Sequence, residues 1–316
     1  MTSRGQANLS HSIFQRLLNH AREREEDFNL ILSRYAVERL LYRLGVTQHA
    51  GKFVLKGASL FLVWSGQNIR PTRDADFLGF GEPEPSHVAS VFADLCSLAG
   101  ENVDGIRFVA ESIRAEEIRE NQEYGGVRVT MRAVLHNAQI PVQIDVGFGD
   151  AVTPGVEQVQ FPTLLGDIPS PVVHAYPRYT MVAEKLEAMI RLGIANSRMK
   201  DFYDLWLLSR MFDYDGPTLT LAVSATMQRR GTQVPSTTPT PFTSAFGQDP
   251  QKSQQWRAFI GRTRLSDPPS ALGEIVEEIA RWLMPIVEAV RSGDNVTEDW
   301  QPGGPWALQG EASSHQ

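Results

Sequence analysis

The sequence predicts an α+β protein in which helices precede and follow a mixed core of strands and helices. Three observations lead to this prediction. Apolar residues recur at helical spacing over residues 13–44, and helical spacing returns from Tyr179 onward. Between them, residues 53–161 contain short β-rich runs separated by Gly, Pro and Asn, with one helical pattern at residues 87–98. At 316 residues, the chain is long enough to form two domains.

Changes in composition divide the chain into four parts. Residues 1–50 are expected to form N-terminal helices that pack on a core within residues 51–175. A C-terminal helical domain is expected over residues 176–292, and within it the Thr-, Ser- and Pro-rich stretch 231–252 is expected to be a long loop. The remaining residues, 293–316, are expected to form a disordered tail.

Composition excludes several classes of protein. The formal net charge of −7 gives no general positive field, so a nucleic acid or an anionic membrane would need a local basic patch. The one cysteine, Cys96, excludes an internal disulfide, and the seven His show no metal-ligand spacing. No apolar run approaches the roughly 20 residues of a membrane span, and the N-terminus has no signal-peptide pattern. We therefore expect a cytoplasmic protein with no membrane partner, and we expect a monomer.

Two aspartates in the segment RPTRDADF form the most distinctive local pattern. Side chains two residues apart on a strand project from the same face, so the carboxylates of Asp74 and Asp76 would converge. Paired carboxylates suit Mg²⁺, which takes one or two of them together with substrate phosphates. The alternative is an exposed strand end in which Arg70 or Arg73 neutralises the pair.

The upstream segment LKGAS joins a β-rich run to a helix-like run. Such a turn can offer backbone N–H groups and the Ser59 hydroxyl to phosphates, and Gly57 permits their close approach. Helix capping by Ser59 is the alternative. The sequence contains neither a Walker loop nor a complete GxGxxG motif.

A third carboxylate, Asp145, lies in the alternating run 141–148. Apolar side chains of this run occupy one face, and Asp145 points to the other. On a strand beside Asp74 and Asp76, it would add a metal ligand or a base for an attacking hydroxyl. A solvent-facing aspartate on an amphipathic strand explains the same pattern.

Charged residues gather on two later helices. Arg198, Asp201 and Asp204 are spaced for contact on one helix face, which by itself predicts surface ion pairs. On the preceding helix, Lys185 lies one turn from apolar neighbours, so its stem can pack while its ammonium reaches a triphosphate. Besides Lys185 and Asp201, we regard Asp204, Arg198 and Lys200 as additional candidates for a site.

One stretch of the acidic chain is basic. Residues 176–265 carry twelve Lys and Arg against seven Asp and Glu. Six of these cations and two interleaved aromatic residues could bind phosphates and stack bases of an RNA. They are Arg229, Arg230, Lys252, Arg257, Arg262 and Arg264, with Trp256 and Phe259. The alternative is that the aromatic residues belong to the core and the arginines are surface charges.

Taken together and in order, LKGAS, RPTRDADF, QIDVGFGD, EKLEAM and NSRMKDFYDLW resemble segments of the AbiEii-type toxins. These toxins are members of the DNA polymerase beta-like nucleotidyltransferase superfamily. The resemblance spans residues 13–290, and Ala58 stands where a second Gly is usual. It implies a small mixed sheet with helices, the DNA polymerase beta-like nucleotidyltransferase core, flanked by N-terminal helices and a C-terminal helical domain.

The resemblance also implies roles for individual residues. The catalytic residues would be Asp74, Asp76, Lys185 and Asp201, the metal ligands Asp74 and Asp76, and the nucleotide contacts Gly57, Ser59 and Lys185. Apart from the resemblance, we count Asp145 as a third candidate metal ligand and Arg73 as a further candidate nucleotide contact. The metal would be Mg²⁺ or Mn²⁺. Lys185 would contact the triphosphate, and Asp201 would act as an acid, a base or an orienting carboxylate.

The function implied by the resemblance is that of a nucleotidyltransferase toxin from a bacterial toxin–antitoxin or abortive-infection system of phage defence. It would transfer nucleotides from a nucleoside triphosphate to an RNA acceptor, the tRNA 3′ end, and so block translation and growth. A cognate antitoxin encoded nearby would restrain it. Two alternatives stay open: the acceptor is a protein hydroxyl or a small molecule, or the chain binds nucleotide or RNA without turnover.

Overall fold

The computed structural model describes residues 3–67, 69–72, 74–98, 101–120, 124–263, 265 and 268–308. The chain forms two compact units. One comprises Met1–Gly149 and Glu157–Ala175, and the other comprises Asp150–Val156 and Tyr176–Gln316. The α+β class predicted from the sequence is confirmed. In the part of the chain that the structure describes, no helix is both long and apolar enough to cross a membrane.

The first unit contains a seven-stranded mixed sheet and five helices within the described residues. The helices are α1 (Ser3–Glu23), α2 (Phe28–Gly45), α3 (Leu60–Ser65), α4 (Pro85–Ser97) and α5 (Glu101–Asp104). The strands are β1 (Phe53–Lys56), β2 (Ala75–Gly79), β3 (Ile106–Glu120), β4 (Tyr124–Leu135), β5 (Ala138–Phe148), β6 (Glu157–Gln160) and β7 (Val172–Ala175). Their order is β3-β4-β5-β2-β1-β7-β6. The β1–β7 and β2–β5 pairs are parallel, and the other pairs are antiparallel.

Strand β5 shows how alternation along the chain positions a polar residue. Ile140, Val142, Ile144 and Val146 are buried on one face of the strand. Because successive side chains point to opposite faces, Asp145 lies on the other face. The alternation predicted for this segment is therefore confirmed.

Helix α2 carries charged side chains that are buried in the first unit. Glu38 accepts a hydrogen bond from the Leu164 N–H at 2.7 Å and pairs with Arg39 at 3.0 Å. Arg39 also donates to the Pro169 carbonyl at 2.9 Å. These bonds attach α2 to the segment between β6 and β7, and they leave the Glu38 carboxyl almost without exposure to solvent.

The second unit is mainly helical. Its helices are α6 (Arg178–Leu192), α7 (Met199–Met211), α8 (Gly216–Arg229), α9 (Ser244–Gln248), α10 (Pro250–Arg262) and α11 (Leu272–Ser292). Three short strands, β8 (Tyr214–Asp215), β9 (Asp299–Trp300) and β10 (Trp306–Ala307), form a second sheet in the order β10-β9-β8. The stretch expected to be a long loop, 231–252, includes α9 and the first residues of α10.

The tail expected to be disordered from residue 293 is instead packed as far as residue 308. The Trp300 indole donates to the Ser209 carbonyl at 2.7 Å, and the Trp306 indole donates to the Trp282 carbonyl at 3.0 Å. Trp300 is 2% exposed. For these residues the expectation was wrong, because the burial of aromatic surface outweighs the entropy lost by a Gly- and Pro-rich segment. Residues 309–316 lie outside the described part of the chain.

Candidate active site

The turn between β1 and α3 brings the LKGAS segment against Asp76. Gly57 has a φ of +79°, a conformation that residues with a side chain rarely adopt. A Cβ at this position would lie 3.0 Å from the Cγ of Asp76 and would collide with the carboxylate. Only glycine therefore allows the backbone of the turn to approach Asp76 this closely.

Ser59 precedes α3 without capping it. It is the N-cap residue of the helix, but its side chain accepts no capping hydrogen bond. Its hydroxyl lies 3.5 Å from the Lys56 carbonyl, at the limit of a hydrogen bond. Helix capping therefore does not explain the hydroxyl at this position, and its contact with phosphate stays a prediction.

Asp74 and Asp76 lie at the start of β2. Ala75 and Phe77 are buried, so the alternation of the strand places both aspartates on the opposite, more open face. Asp74 is exposed and Asp76 is half-buried. Arg73 lies outside the described residues, so its predicted nucleotide contact stays a prediction.

Asp76 belongs to a row of charged residues that crosses five strands. Lys56 on β1 is opposite Asp76, and Asp76 is opposite Asp145 on β5. Asp145 is opposite Arg128 on β4, which in turn is opposite Glu116 on β3. Directly opposed residues project from the same face of a sheet, so these five side chains share one face. We refer to them as the charged row.

Within the charged row, Arg128 donates two parallel hydrogen bonds to Asp145. Nε donates to Oδ1 at 2.8 Å, and Nη2 donates to Oδ2 at 2.7 Å. The hydrogen bonds raise the pKa of Arg128 in spite of some desolvation, and the negative charges of Asp145 and Asp74 raise it further. Both oxygens of Asp145 are therefore engaged. The structure places Asp145 next to Asp76, but it pairs Asp145 with Arg128, which the sequence did not single out.

The pair formed by Asp74 and Asp76 has the donor chemistry of a divalent-cation site. Within the described ranges, no group of three or more His, Cys, Asp or Glu side chains is arranged to hold a metal ion. Two carboxylates are nevertheless sufficient for Mg²⁺ when nucleotide phosphates and water supply the other ligands. The Gly57 backbone lies beside the Asp76 carboxylate because glycine has no side chain to separate them.

In the second unit, Lys185 is held between two carboxylates. Its Nζ lies 2.6 Å from Oδ1 of Asp201 and 2.8 Å from Oδ2 of Asp204. The Nε of Arg198 lies 2.6 Å from the other oxygen of Asp201. Both aspartates are buried, so these are not the surface ion pairs that helical spacing alone would predict. The structure therefore brings four of the candidate residues together.

The two cations determine the charge state of Asp201. Burial by itself would raise the pKa of this carboxyl, but the charges of Lys185 and Arg198 outweigh burial and lower it. Each oxygen of Asp201 faces one cation. This arrangement suits a carboxylate that orients Lys185 better than one that exchanges a proton. Lys200, a further candidate, is exposed on α7.

Arg230 forms a second cluster of ion pairs in this unit. Its guanidinium lies 2.9 Å from Asp150, 2.8 Å from Glu187 and 3.5 Å from Glu184. Burial would lower the pKa of Arg230, but the three carboxylates raise it. The expectation that Arg230 faces an RNA was wrong, because carboxylates distant in sequence already balance its charge.

Two other members of the expected RNA surface belong to the core. Trp256 is fully buried, and its indole donates to the Pro269 carbonyl at 3.0 Å. Lys252 is 4% exposed and donates to the Asn196 carbonyl at 2.8 Å. The alternative in which the aromatic residue is core thus holds for Trp256. Of the remaining members, Arg229, Arg257 and Arg262 are exposed, Phe259 is half-buried and Arg264 lies outside the described residues.

Comparisons with known proteins identify the family. Residues 39–281 match the model of a family described as nucleotidyl transferase AbiEii toxin, type IV toxin–antitoxin system. A crystal structure of JHP933 from Helicobacter pylori is 14% identical, with 88% of this chain and 92% of that chain covered and a TM-score of 0.43. A second one from the same organism, described as a "putative nucleotidyltransferase", is 14% identical, with 87% and 95% covered and a TM-score of 0.41. No curated protein matches the chain.

The family match confirms the resemblance inferred from the five segments. It covers well over half of the chain and includes both the Gly57 turn and the Lys185 cluster. Members of this family are nucleotidyltransferases, which use nucleoside triphosphates and divalent metal ions. The chain belongs to the AbiEii nucleotidyltransferase toxin family of type IV toxin–antitoxin systems.

Proposed function

We propose that this protein is a Mg²⁺-dependent toxin that transfers a nucleotide from a nucleoside triphosphate to the 3′ end of a tRNA. Transfer would block aminoacylation and thereby translation, and a cognate antitoxin would restrain the toxin. The observation that carries the proposal is the approach of the Gly57 turn to the Asp76 carboxylate. At the start of β2, a turn that can bind phosphates therefore lies beside a pair of carboxylates that can bind a metal ion.

In this proposal, Asp74 and Asp76 hold the metal ion, and the turn receives the phosphates. When bound, Mg²⁺ neutralises charge on the triphosphate. Gly57 brings the backbone close to the phosphates, and Ser59 supplies a hydroxyl. Asp145 is paired with Arg128 through both of its oxygens. We therefore propose that it stabilises the charged row and does not bind the metal.

Lys185 acts in the proposed reaction as a fixed positive charge. Asp201 and Asp204 hold its ammonium from two sides, and Arg198 holds Asp201. A lysine oriented in advance can stabilise negative charge on the triphosphate as that charge grows during transfer. The acceptor hydroxyl oxygen bonds to the α-phosphorus, its proton leaves to a base, and the bond to the bridging oxygen breaks to release pyrophosphate.

The experiment that tests the proposal follows labelled phosphorus. Purified protein is incubated with Mg²⁺, total RNA and each of the four α-labelled nucleoside triphosphates in turn. We expect label in tRNA, removable by nuclease trimming of the 3′ end. We expect Asp76→Asn to reduce the label by at least about 100-fold, because the metal loses a ligand.

The matched control is Glu82→Gln, which neutralises an exposed carboxylate in the loop after β2. This variant should label RNA as the wild type does. Label recovered in protein or in a small molecule would favour the alternative acceptors. Absence of label from every fraction, with wild type and Asp76→Asn alike, would favour a module that binds nucleotide or RNA without turnover.

A further inference from the structure

Lys56, the last residue of β1, has no role in the proposed reaction although it belongs to the charged row. It is directly opposite Asp76 in the antiparallel β1–β2 ladder. A Cβ built on Gly147 would lie 3.4 Å from Lys56 Nζ and 3.9 Å from its Cε. Gly147 is on β5, the strand on the far side of β2. The lysine side chain therefore crosses β2, and its ammonium lies over β5.

The Lys56 ammonium lies on the same sheet face as the carboxylates. Gly147 follows Asp145 by two residues, so both positions belong to one face of β5. Asp76 projects from this face of the neighbouring strand. Because Gly147 has no side chain, the long lysine stem has room to reach this point. Arg128 approaches Asp145 from β4, so two cations lie on the sheet face that carries the two carboxylates.

We propose that Lys56 balances these carboxylates before metal and nucleotide bind, and that its ammonium then binds the phosphates of the nucleotide. This inference rests on the proposed function, because it requires the nucleotide to bind at Asp74 and Asp76. A divalent cation beside Asp76 repels a nearby ammonium. The triphosphate attracts the ammonium, because its oxygens accept charge-assisted hydrogen bonds from lysine.

The proposal makes two affinities change in opposite directions. Removal of the Lys56 charge takes away a cation that competes with the metal for the carboxylates, so metal alone should bind more tightly. The same change removes a phosphate ligand, so nucleotide together with metal should bind more weakly. A lysine that only supported the fold would weaken both when it is replaced.

The experiment measures both affinities on the full chain. Mn²⁺ alone is titrated by electron paramagnetic resonance. The four α,β-methylene nucleoside triphosphates, which cannot transfer their α-phosphoryl group, are titrated with Mg²⁺ by calorimetry. For Lys56→Met we expect the Kd of Mn²⁺ to fall about threefold and that of the bound analogue to rise about tenfold. Lys56→Arg should restore analogue binding to within about threefold.

The matched control is Lys52→Met, since Lys52 is an exposed lysine four residues upstream, and neither Kd should change. If Lys56→Met does not fold by circular dichroism, Gly147→Val tests the same idea with the lysine in place. Its side chain would displace the ammonium from its place over β5, so the Kd of the analogue should rise as for Lys56→Met.

An unchanged pair of Kd values, or a rise in both, would overturn the proposal, as would a wild type that binds none of the four analogues. A wild type that binds Mn²⁺ and an analogue but labels no RNA would refute the proposed function alone. In that case the two Kd values still decide the role of Lys56.

Discussion

At the scale of single residues, Gly57 links backbone conformation to chemistry. Its positive φ and the proximity of Asp76 both disfavour a side chain. We expect Gly57→Ala to reduce nucleotidyl transfer by at least about 100-fold, because the turn must move away from the carboxylate pair. The measurement is the rate of label transfer to RNA, together with the free energy of unfolding in urea.

Gly51→Ala is the matched control for this substitution. An added Cβ at Gly51 meets no atom within 4 Å, and its backbone does not have a positive φ. Its transfer rate should equal that of the wild type. Full activity of Gly57→Ala would show that the close approach to Asp76 has no part in the reaction.

Lys185 allows a second prediction at this scale, which separates a chemical role from a structural one. Lys185→Met leaves two buried carboxylates without their shared cation, so the free energy of unfolding should fall by about 3 kcal/mol. Transfer activity should fall further than the folded fraction does, and growth inhibition in cells should be relieved. Lys52→Met, which changes an exposed lysine with no assigned role, should behave as the wild type. Toxicity of Lys185→Met equal to that of the wild type would contradict its assignment.

Several of these residues could be found from local spacing, whereas their partners could not. The i,i+2 spacing of Asp74 and Asp76 places them on one strand face without knowledge of the rest of the sheet. The pairing of Asp145 with Arg128 depends on which strands are neighbours. The hydrogen bonds of Arg230 to Asp150 join residues 80 positions apart. Such pairings are set by strand order and helix packing, which local patterns do not encode.

At the scale of elements, α2 is attached to its unit through the buried carboxyl of Glu38. Burial raises the pKa of Glu38 from 4.5 to about 7, against the opposing charge of Arg39 and the Leu164 N–H. The folded state therefore binds this proton more tightly than the unfolded state does. The stability gained from it is complete below about pH 4.5 and is lost as the pH rises through 7.

We therefore expect the free energy of unfolding of the wild type to fall with rising pH between 5 and 8. The contribution of Glu38 to this fall is about 3 kcal/mol. Urea titrations at several pH values test this expectation, and the slope should be smaller for Glu38→Gln. Glu84→Gln, a change at an exposed carboxylate, should keep the wild-type slope. Equal slopes for wild type and Glu38→Gln would exclude this carboxyl as the source.

Two elements contain segments whose local pattern favours a different structure. Strand β3 includes the segment AEEIRE, whose residues favour helices, and it forms a strand because β4 pairs with it along its length. Helix α8 includes the segment TLTLAV, whose alternation is typical of a strand. In both cases tertiary packing overrides local preference. By contrast, α11 (Leu272–Ser292) has a regular apolar stripe, and it lies within the helical domain expected over residues 176–292.

At the scale of the whole molecule, the distribution of charge bears on the proposed binding of RNA. The chain carries −7 overall, and the structure balances two of its expected RNA-binding cations, Arg230 and Lys252, with internal partners. Arg257 and Arg262 stay exposed on α10. Of the six expected RNA-binding cations, the structure describes three as exposed, Arg229, Arg257 and Arg262, so the affinity of this stretch for RNA should depend weakly on salt.

We expect the double variant Arg257→Gln, Arg262→Gln to bind the tRNA 3′ end more weakly than the wild type. The slope of log Kd against log salt should decrease by about 0.7 for each single-strand phosphate that the variant no longer neutralises. Fluorescence anisotropy at several salt concentrations measures both quantities. Lys52→Gln supplies the control, and a slope unchanged in the double variant would mean that α10 does not bind RNA.

The charged row has a consequence for folding fidelity. A one-residue slip of β2 would bring Phe77 between Lys56 and Asp145 and turn Asp76 toward the apolar core. Burial of an unpaired carboxylate is costly, so the misregistered sheet is strongly disfavoured. The residues proposed to bind metal and nucleotide thus also favour the correct register of the central strands. If mutants are selected only because they are no longer toxic, many should carry substitutions at these positions. A large share of those variants should be misfolded.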